Sequence, residues 1–196
     1  MSSTNRSDAR KQHIADYYKT PVKDIELFLR ELNNTIQIPW NSYKIIDPCA
    51  GGKIEPYESM SYPEAIKNVF GNCNINCIDI REDSLAETKG DYLQLDVKSF
   101  EPNIIITNPP FNQALPIIQK ALNDVEDGGY VIMLLRLNFL ETKARKEFFD
   151  NYMPQYIFVH HKRMSFIKGK GTDSVAYAHY VWQKGNYPEF SKIKVI

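Results

Sequence analysis

Apolar positions recur along this chain in two rhythms, one of period near 3.6 and one of short continuous runs, and the two alternate. Val22, Ile25, Phe28, Leu29 and Leu32 share one helical face. Thr20-Pro21 just before them predicts a helix start, with Thr20 as N-cap and Pro21 as the first helical residue. Tyr43–Ile46 reads as a strand that stops at Asp47-Pro48. Asp47–Tyr62 is irregular, and Pro63–Phe70 is a short helix closed by Gly71. Ile75–Ile80 predicts a second strand, Tyr92–Leu95 a weaker third, and Asn103–Thr107 a fourth that ends at Asn108-Pro109-Pro110-Phe111. Ala114, Ile117, Ile118, Ala121, Leu122 and Val125 return to helical spacing. After the turn Asp127-Gly128-Gly129, Tyr130–Leu135 is apolar at every position, as in a strand covered on both faces. Thr142–Tyr152 is helical, and Tyr156–His160 and Val175–Trp182 are strands separated by the polar loop Lys168–Ser174.

Strands alternating with helices predict an α/β fold with a mostly parallel sheet and helices on both faces. With 196 residues, no internal repeat, no low-complexity tract and no linker, one domain spanning 1–196 is expected, with no separate target-recognition domain. Composition changes this picture little: 43% hydrophobic and 24% charged residues are ordinary for a globular chain. Lys+Arg and Asp+Glu number 24 each, which excludes a polycation or an acidic disordered tail but not a locally basic surface. No apolar run approaches the roughly 20 residues of a membrane span. The polar Met1–Arg10 has no apolar signal core, and Cys49, Cys73 and Cys77 read as reduced thiols, so the expected setting is cytoplasmic.

Ligands of such sheets lie outside the carboxyl ends of the strands. Here those ends carry Asp47-Pro48-Cys49-Ala50-Gly51-Gly52, Asp79, Asp91-Tyr92 and Asn108-Pro109-Pro110-Phe111. The tetrapeptide is the most informative. Two prolines fix φ twice and remove two N–H donors, which leaves carbonyl oxygens and the Asn108 amide facing outward. The Asn108 side-chain oxygen and the Pro109 carbonyl can together accept both hydrogens of one amino group. Held so, an exocyclic amine keeps its lone pair available, and Phe111 offers a face on which its ring can stack. The bland alternative is a strand-to-helix turn. Gly51-Gly52 lets backbone approach a ligand but fits a plain turn equally well, and it lacks the three-glycine dinucleotide fingerprint. Asp79 fits either a ribose-binding acid or a helix cap. Asp91-Tyr92 fits either an adenine contact or a β-turn.

Together these residues resemble the S-adenosylmethionine-dependent amino-methyltransferases, and among them the small adenine-N6 DNA methyltransferases of phages and mobile elements. The resemblance runs from about Tyr17 to Trp182. It implies a class I methyltransferase fold, S-adenosylmethionine as cofactor, and methyl transfer to the N6 amino group of adenine in DNA. By it, Tyr17, Thr20 and Pro21 correspond to an N-terminal cofactor motif, and Asp47, Pro48, Gly51 and Gly52 to the first motif. Asp79 corresponds to the ribose-binding acid, Asp91 and Tyr92 to contacts with the cofactor's adenine, and Asn108, Pro109, Pro110 and Phe111 to the catalytic tetrapeptide. Arg163-Met164-Ser165-Phe166 resembles a late motif whose aromatic residue, here Phe166, clasps the flipped target base. The first motif departs from the family's Gly-x-Gly pattern, since Lys53 follows Gly52. The same tetrapeptide serves relatives that methylate RNA bases or protein glutamine amides, and a non-catalytic binding module on the same fold is the remaining alternative.

From His160 to Ile196 seven Lys/Arg face two acids, a net of +5. This favours nucleic acid as partner, DNA before RNA, with Lys168 and Lys170 the expected phosphate contacts beside Phe166. Cys73 and Cys77 have the wrong spacing for a zinc pair, so no metal is expected. His161 and His179 are read as strand residues. Only 85 residues follow Phe111, and the sheet uses most of them. Little remains for reading bases: loops Lys53–Tyr62, Phe139–Thr142 and Lys168–Ser174 and the tail after Lys184. A short or degenerate target, or a partner subunit that supplies recognition, is the expectation.

Overall fold

The computed structural model describes residues 19–166 and 174–196. The sheet has eight strands: β1 (Lys44–Asp47), β2 (Asn74–Asp79), β3 (Thr88–Lys89), β4 (Ile104–Thr107), β5 (Tyr130–Arg136), β6 (Tyr156–Val159), β7 (Tyr177–Gln183) and β8 (Lys192–Val195). Their order is β3-β2-β1-β4-β5-β7-β6-β8. β7 alone runs antiparallel to its neighbours β5 and β6, while all the other pairings are parallel.

Four helices cover the two faces: α1 (Val22–Thr35), α2 (Ser61–Phe70), α3 (Ala114–Asp124) and α4 (Lys143–Asn151). Because strand side chains alternate, each strand feeds two cores. Ile45, Ile104, Ile106, Ile132, Phe158 and Val181 pack with Ile25, Phe28, Leu29 and Leu32 of α1 and with Tyr62, Ala65 and Ile66 of α2. Ile46, Ile105, Val131, Met133, Ile157 and Trp182 pack on the other face with Ile117, Ile118 and Ala121 of α3 and with Phe148 and Phe149 of α4. That is why the β4 and β5 sequences are apolar without alternation.

Four expectations need correction. Tyr92–Leu95 is not a strand: Tyr92–Gln94 is a 3₁₀ turn, started by the Asp91 carboxylate accepting from the Leu93 N–H at 3.0 Å, and the third strand is Thr88–Lys89. Thr20 does not cap α1. The cap position is Pro21, and Val22 is the first helical residue, because the Thr20 hydroxyl is engaged elsewhere. The tail after Lys184 is not spare chain, since β8 adds to β6 in parallel. In addition, Lys53–Tyr62 is not a free loop. Lys53 and Glu58 pair through two backbone hydrogen bonds of 2.8 and 2.9 Å, and Ser61 and Tyr62 already belong to α2.

β1 and β4 are neighbours, and from them the chain winds outward in opposite directions, to β2 on one side and β5 on the other. The carboxyl ends of β1 and β4 therefore flank the crevice where doubly wound sheets bind ligands.

Candidate active site

Asn108 follows the last residue of β4, and its side chain is held at one end only. Its Nδ2 donates to the Thr20 Oγ1 at 3.0 Å, across 88 residues of chain. Its Oδ1 is buried and has no hydrogen-bond partner among the described residues. A buried acceptor without a donor costs about 1–3 kcal/mol, so an orphan at a strand end calls for a ligand that supplies one. The Gln113 N–H donates to the Pro110 carbonyl at 2.9 Å, which turns the chain into α3 directly after Phe111.

Across the crevice, Asp47 ends β1 and is fully buried. Its Oδ1 accepts from the Cys49 N–H at 3.2 Å, while its Oδ2 has no partner of good geometry. Burial pushes its pKa up to about 7, and the nearby Asp79 charge adds to this, while the Thr107 hydroxyl and Cys49 N–H work the other way. The chain beyond Asp47 bends at Gly51 and Gly52, both left-handed with φ of +69° and +70°. At Gly52 a Cβ would come within 2.8 Å of Met60 Cγ, so only glycine fits there.

Asp79, ending β2, is 6% exposed and holds this bend in place. Its Oδ2 accepts from the Gly51 N–H at 2.7 Å, and its Oδ1 from the Arg81 N–H at 2.8 Å. Arg81 spans the same group, with Nε 3.3 Å from Asp79 and Nη2 donating to the Gly52 carbonyl. Each carboxylate oxygen retains acceptor capacity beyond these bonds. Asp91 is exposed and caps its turn. Tyr92 lies in the core beneath α3, and its hydroxyl donates to Asp124 at 2.9 Å.

Phe111 and Phe166 converge on one residue, Tyr177 at the start of β7. Ring centroids lie 5.7 Å and 4.8 Å from it respectively. Both phenylalanines are partly buried against the cluster of Leu134, Met164 and Tyr177. Arg136, the last residue of β5, lays its guanidinium over the Phe111 ring at 4.6 Å and donates from Nε to the Tyr177 hydroxyl at 3.4 Å. Sequence reading missed Arg136 and Tyr177. Both stand at strand ends beside the tetrapeptide, but only the β5–β7 register, which pairs them, shows it. It also missed a buried polar chain behind the crevice. Tyr62 Oη lies 3.0 Å from His179 Nε2, and His179 Nδ1 lies 2.8 Å from His160 Nε2. The His179 ring is stacked on Phe28.

The structure thus brings together Thr20, Pro21, Asp47, Pro48, Gly51, Gly52 and Asp79 with Asn108, Pro109, Pro110 and Phe111 at the carboxyl ends of the central strands, and it joins Phe166 to Phe111 through Tyr177. Tyr17, Lys168 and Lys170 lie outside the described residues. Among the described residues no group of three or more His, Cys, Asp or Glu side chains could hold a metal ion. No described helix is long and apolar enough to cross a membrane.

No protein-family model matches this sequence, and no curated protein does. Solved structures do match. A protein assigned as a class I S-adenosylmethionine-dependent methyltransferase from Listeria monocytogenes superimposes with a TM-score of 0.61 at 14% identity, covering 90% of this chain and 65% of that one. One assigned as an RNA methyltransferase from Pyrococcus horikoshii gives 0.61 at 13% identity, covering 86% and 87%. The type IIG restriction endonuclease BpuSI gives 0.68 at 14% identity, covering 94% of this chain but 27% of its own. The chain therefore has the Rossmann-like fold of class I methyltransferases, and it spans under two thirds of the Listeria protein and about a quarter of BpuSI.

Proposed function

We propose that this chain is an S-adenosylmethionine-dependent methyltransferase that acts on the N6 amino group of adenine in DNA. The observation that carries the reading is the Asn108 amide, with its nitrogen spent on Thr20 and its buried oxygen left without a donor. A fold alone hosts many activities, so the reading rests on this site.

The crevice fits the cofactor. Asp47 Oδ2 is a buried acceptor without a partner, suited to the amino group of the methionine moiety. Gly51 and Gly52 leave the backbone bare at the bend, and Asp79 holds that bend while keeping acceptor capacity for ribose hydroxyls. When bound, S-adenosylmethionine supplies an activated methyl group. The chain's own residues do the remainder. Asn108 Oδ1 and the Pro109 carbonyl accept the two hydrogens of the target amine, which keeps the nitrogen lone pair out of the ring and available. Fixed dipoles of this kind stabilise charge that develops on the amine in the transition state without reorganising. Phe111 stacks on the target ring, and Phe166, which packs on the same Tyr177, closes on it. Such a base cannot be reached inside a duplex, so it is taken from a single strand or flipped out.

DNA is favoured over RNA by the resemblance of the tetrapeptide and its surroundings to adenine-N6 enzymes. A second subunit for recognition fits the short connections between the strands and helices. The test is transfer of tritiated methyl from S-adenosylmethionine to DNA, RNA and protein pools, followed by digestion to nucleosides. The expected product is N6-methyladenine in the DNA pool. Label confined to RNA or to glutamine would replace the substrate and keep the chemistry. Absence of label from every pool, together with no cofactor binding by calorimetry, would leave a non-catalytic module.

A further inference from the structure

We propose that Thr20 is a positioning residue for methyl transfer. It anchors the Asn108 side chain by accepting from Nδ2, in the arrangement that leaves Oδ1 facing the amine to be methylated. This rests on the reading of Asn108 above, and it assigns Thr20 a role other than cofactor contact or helix cap.

The two ends of an asparagine side chain are nearly equal in shape and opposite in polarity. An amide rotated by half a turn would present N–H groups to an incoming amine, so donor would meet donor and the site would repel its substrate. A side chain free to turn would sample that arrangement, so the productive one needs an anchor. Among the described residues the Asn108 side chain has its hydrogen bond with Thr20, which accepts from Nδ2 at 3.0 Å. Thr20 is 3% exposed, so no water competes freely for the bond. Its backbone is fixed by the start of α1, where the Asp24 and Ile25 N–H groups both donate to the Pro21 carbonyl at 3.1 and 3.3 Å. Ile25, Phe28, Leu29 and Leu32 in turn seat α1 on the sheet at 0% exposure. The hydroxyl is thus carried to the end of β4 by a rigid helix start. A shell that locks the rotamer of a catalytic group in this way is what keeps its geometry productive.

The experiment compares Thr20→Val, which keeps shape and burial but loses the acceptor, with Thr20→Ser, which keeps it. Three readouts are taken for each: cofactor affinity by calorimetry, single-turnover methyl transfer to DNA, and solvent exchange of the Asn108 side-chain amide by ¹⁵N NMR. That amide resonance is assigned by its loss in Asn108→Ala. Thr20→Val should slow transfer 10- to 100-fold, change cofactor affinity less than 3-fold, and speed amide exchange at Asn108. Thr20→Ser should restore transfer to within about 3-fold of the parent chain. Transfer by Thr20→Val at the parent rate, or Thr20→Ser as impaired as Thr20→Val, would overturn the proposal. So would an unchanged exchange rate at Asn108 in Thr20→Val. If the parent chain transfers no methyl to DNA, the functional reading fails by itself, and the exchange measurement still decides whether Thr20 holds the amide.

Discussion

Asp79 shows how much one carboxylate does at this site. It ends β2, tethers the Gly51 amide and faces Arg81, so removing it both frees a bend that lines the crevice and deletes the acceptor proposed for ribose hydroxyls. Asp79→Ala is expected to weaken S-adenosylmethionine binding by about 1–3 kcal/mol, read by calorimetry. Unchanged affinity would take Asp79 out of the cofactor site. Phe111, proposed to stack on the target base, already carries the Arg136 guanidinium over its ring at 4.6 Å and packs against Tyr177. A target base competes with or adds to that cation–π contact. Phe111→Ala should cost about 1–3 kcal/mol of affinity for an adenine-containing oligonucleotide in fluorescence titration. Equal affinity would place the base elsewhere. At this scale the sequence was legible where chemistry is local: Asn108-Pro109-Pro110-Phe111 follows an apolar run and needs nothing more. Thr20, Arg136 and Tyr177 were misread or missed because their partners lie 88, 25 and 66 residues from them in the chain.

The strands and helices that position these residues were largely readable, because β4 and β5 sit between two cores and are therefore apolar at nearly every position. β8 was not. Its Lys192-Ile193-Lys194-Val195 is exposed throughout, and it is a strand only because β6 offers it an edge. Tyr92 and Leu93 looked like a strand, yet the Asp91 cap wins locally and bends them into a 3₁₀ turn. Between the elements, buried titrating groups make opposed demands. Burial and the neighbouring His161 push His160 down to about 4, and burial holds His179 well below its ordinary value. The unfolded chain takes protons on these histidines below about pH 6.5 and the folded chain does not, so their contribution to stability is present above that pH and is lost as pH falls. Asp47 has the reverse sign. Raised to about 7 in the fold, it takes up a proton that the unfolded chain takes only near 3.8, so acidification through this window stabilises. The two partly offset in the parent chain. Asp47→Asn removes the compensating uptake, and its stability in urea should fall more steeply between pH 7.5 and 5 than the parent's, by about 2–3 kcal/mol. Parallel pH profiles would mean that Asp47 stays ionised in the fold.

For the molecule as a whole, β5 to β8, α3 and α4 take up about half of the chain after the tetrapeptide, and short connections join them. What stands free among the described residues is small. The Lys53–Glu58 hairpin exposes Ile54 and Tyr57, whereas Phe139 in the segment before α4 is buried. Each well-made bidentate contact to a base edge contributes about 1–3 kcal/mol of discrimination, and a single short hairpin presents few. The isolated protein is therefore expected to methylate a short or degenerate sequence, and to become more selective with a recognition subunit. Sequencing of methylated DNA after incubation with the purified chain checks this. A fixed target of about six base pairs, read by the chain alone, would show that its loops recognise more than their size suggests.

The central claim is that the free oxygen of Asn108 does the chemistry. Its most direct test is Asn108→Ala, with single-turnover methyl transfer to DNA and cofactor affinity measured on the same preparation. A transfer rate lower by roughly 100- to 1000-fold, with cofactor affinity nearly unchanged, is the predicted result. A near-parent transfer rate would contradict the account.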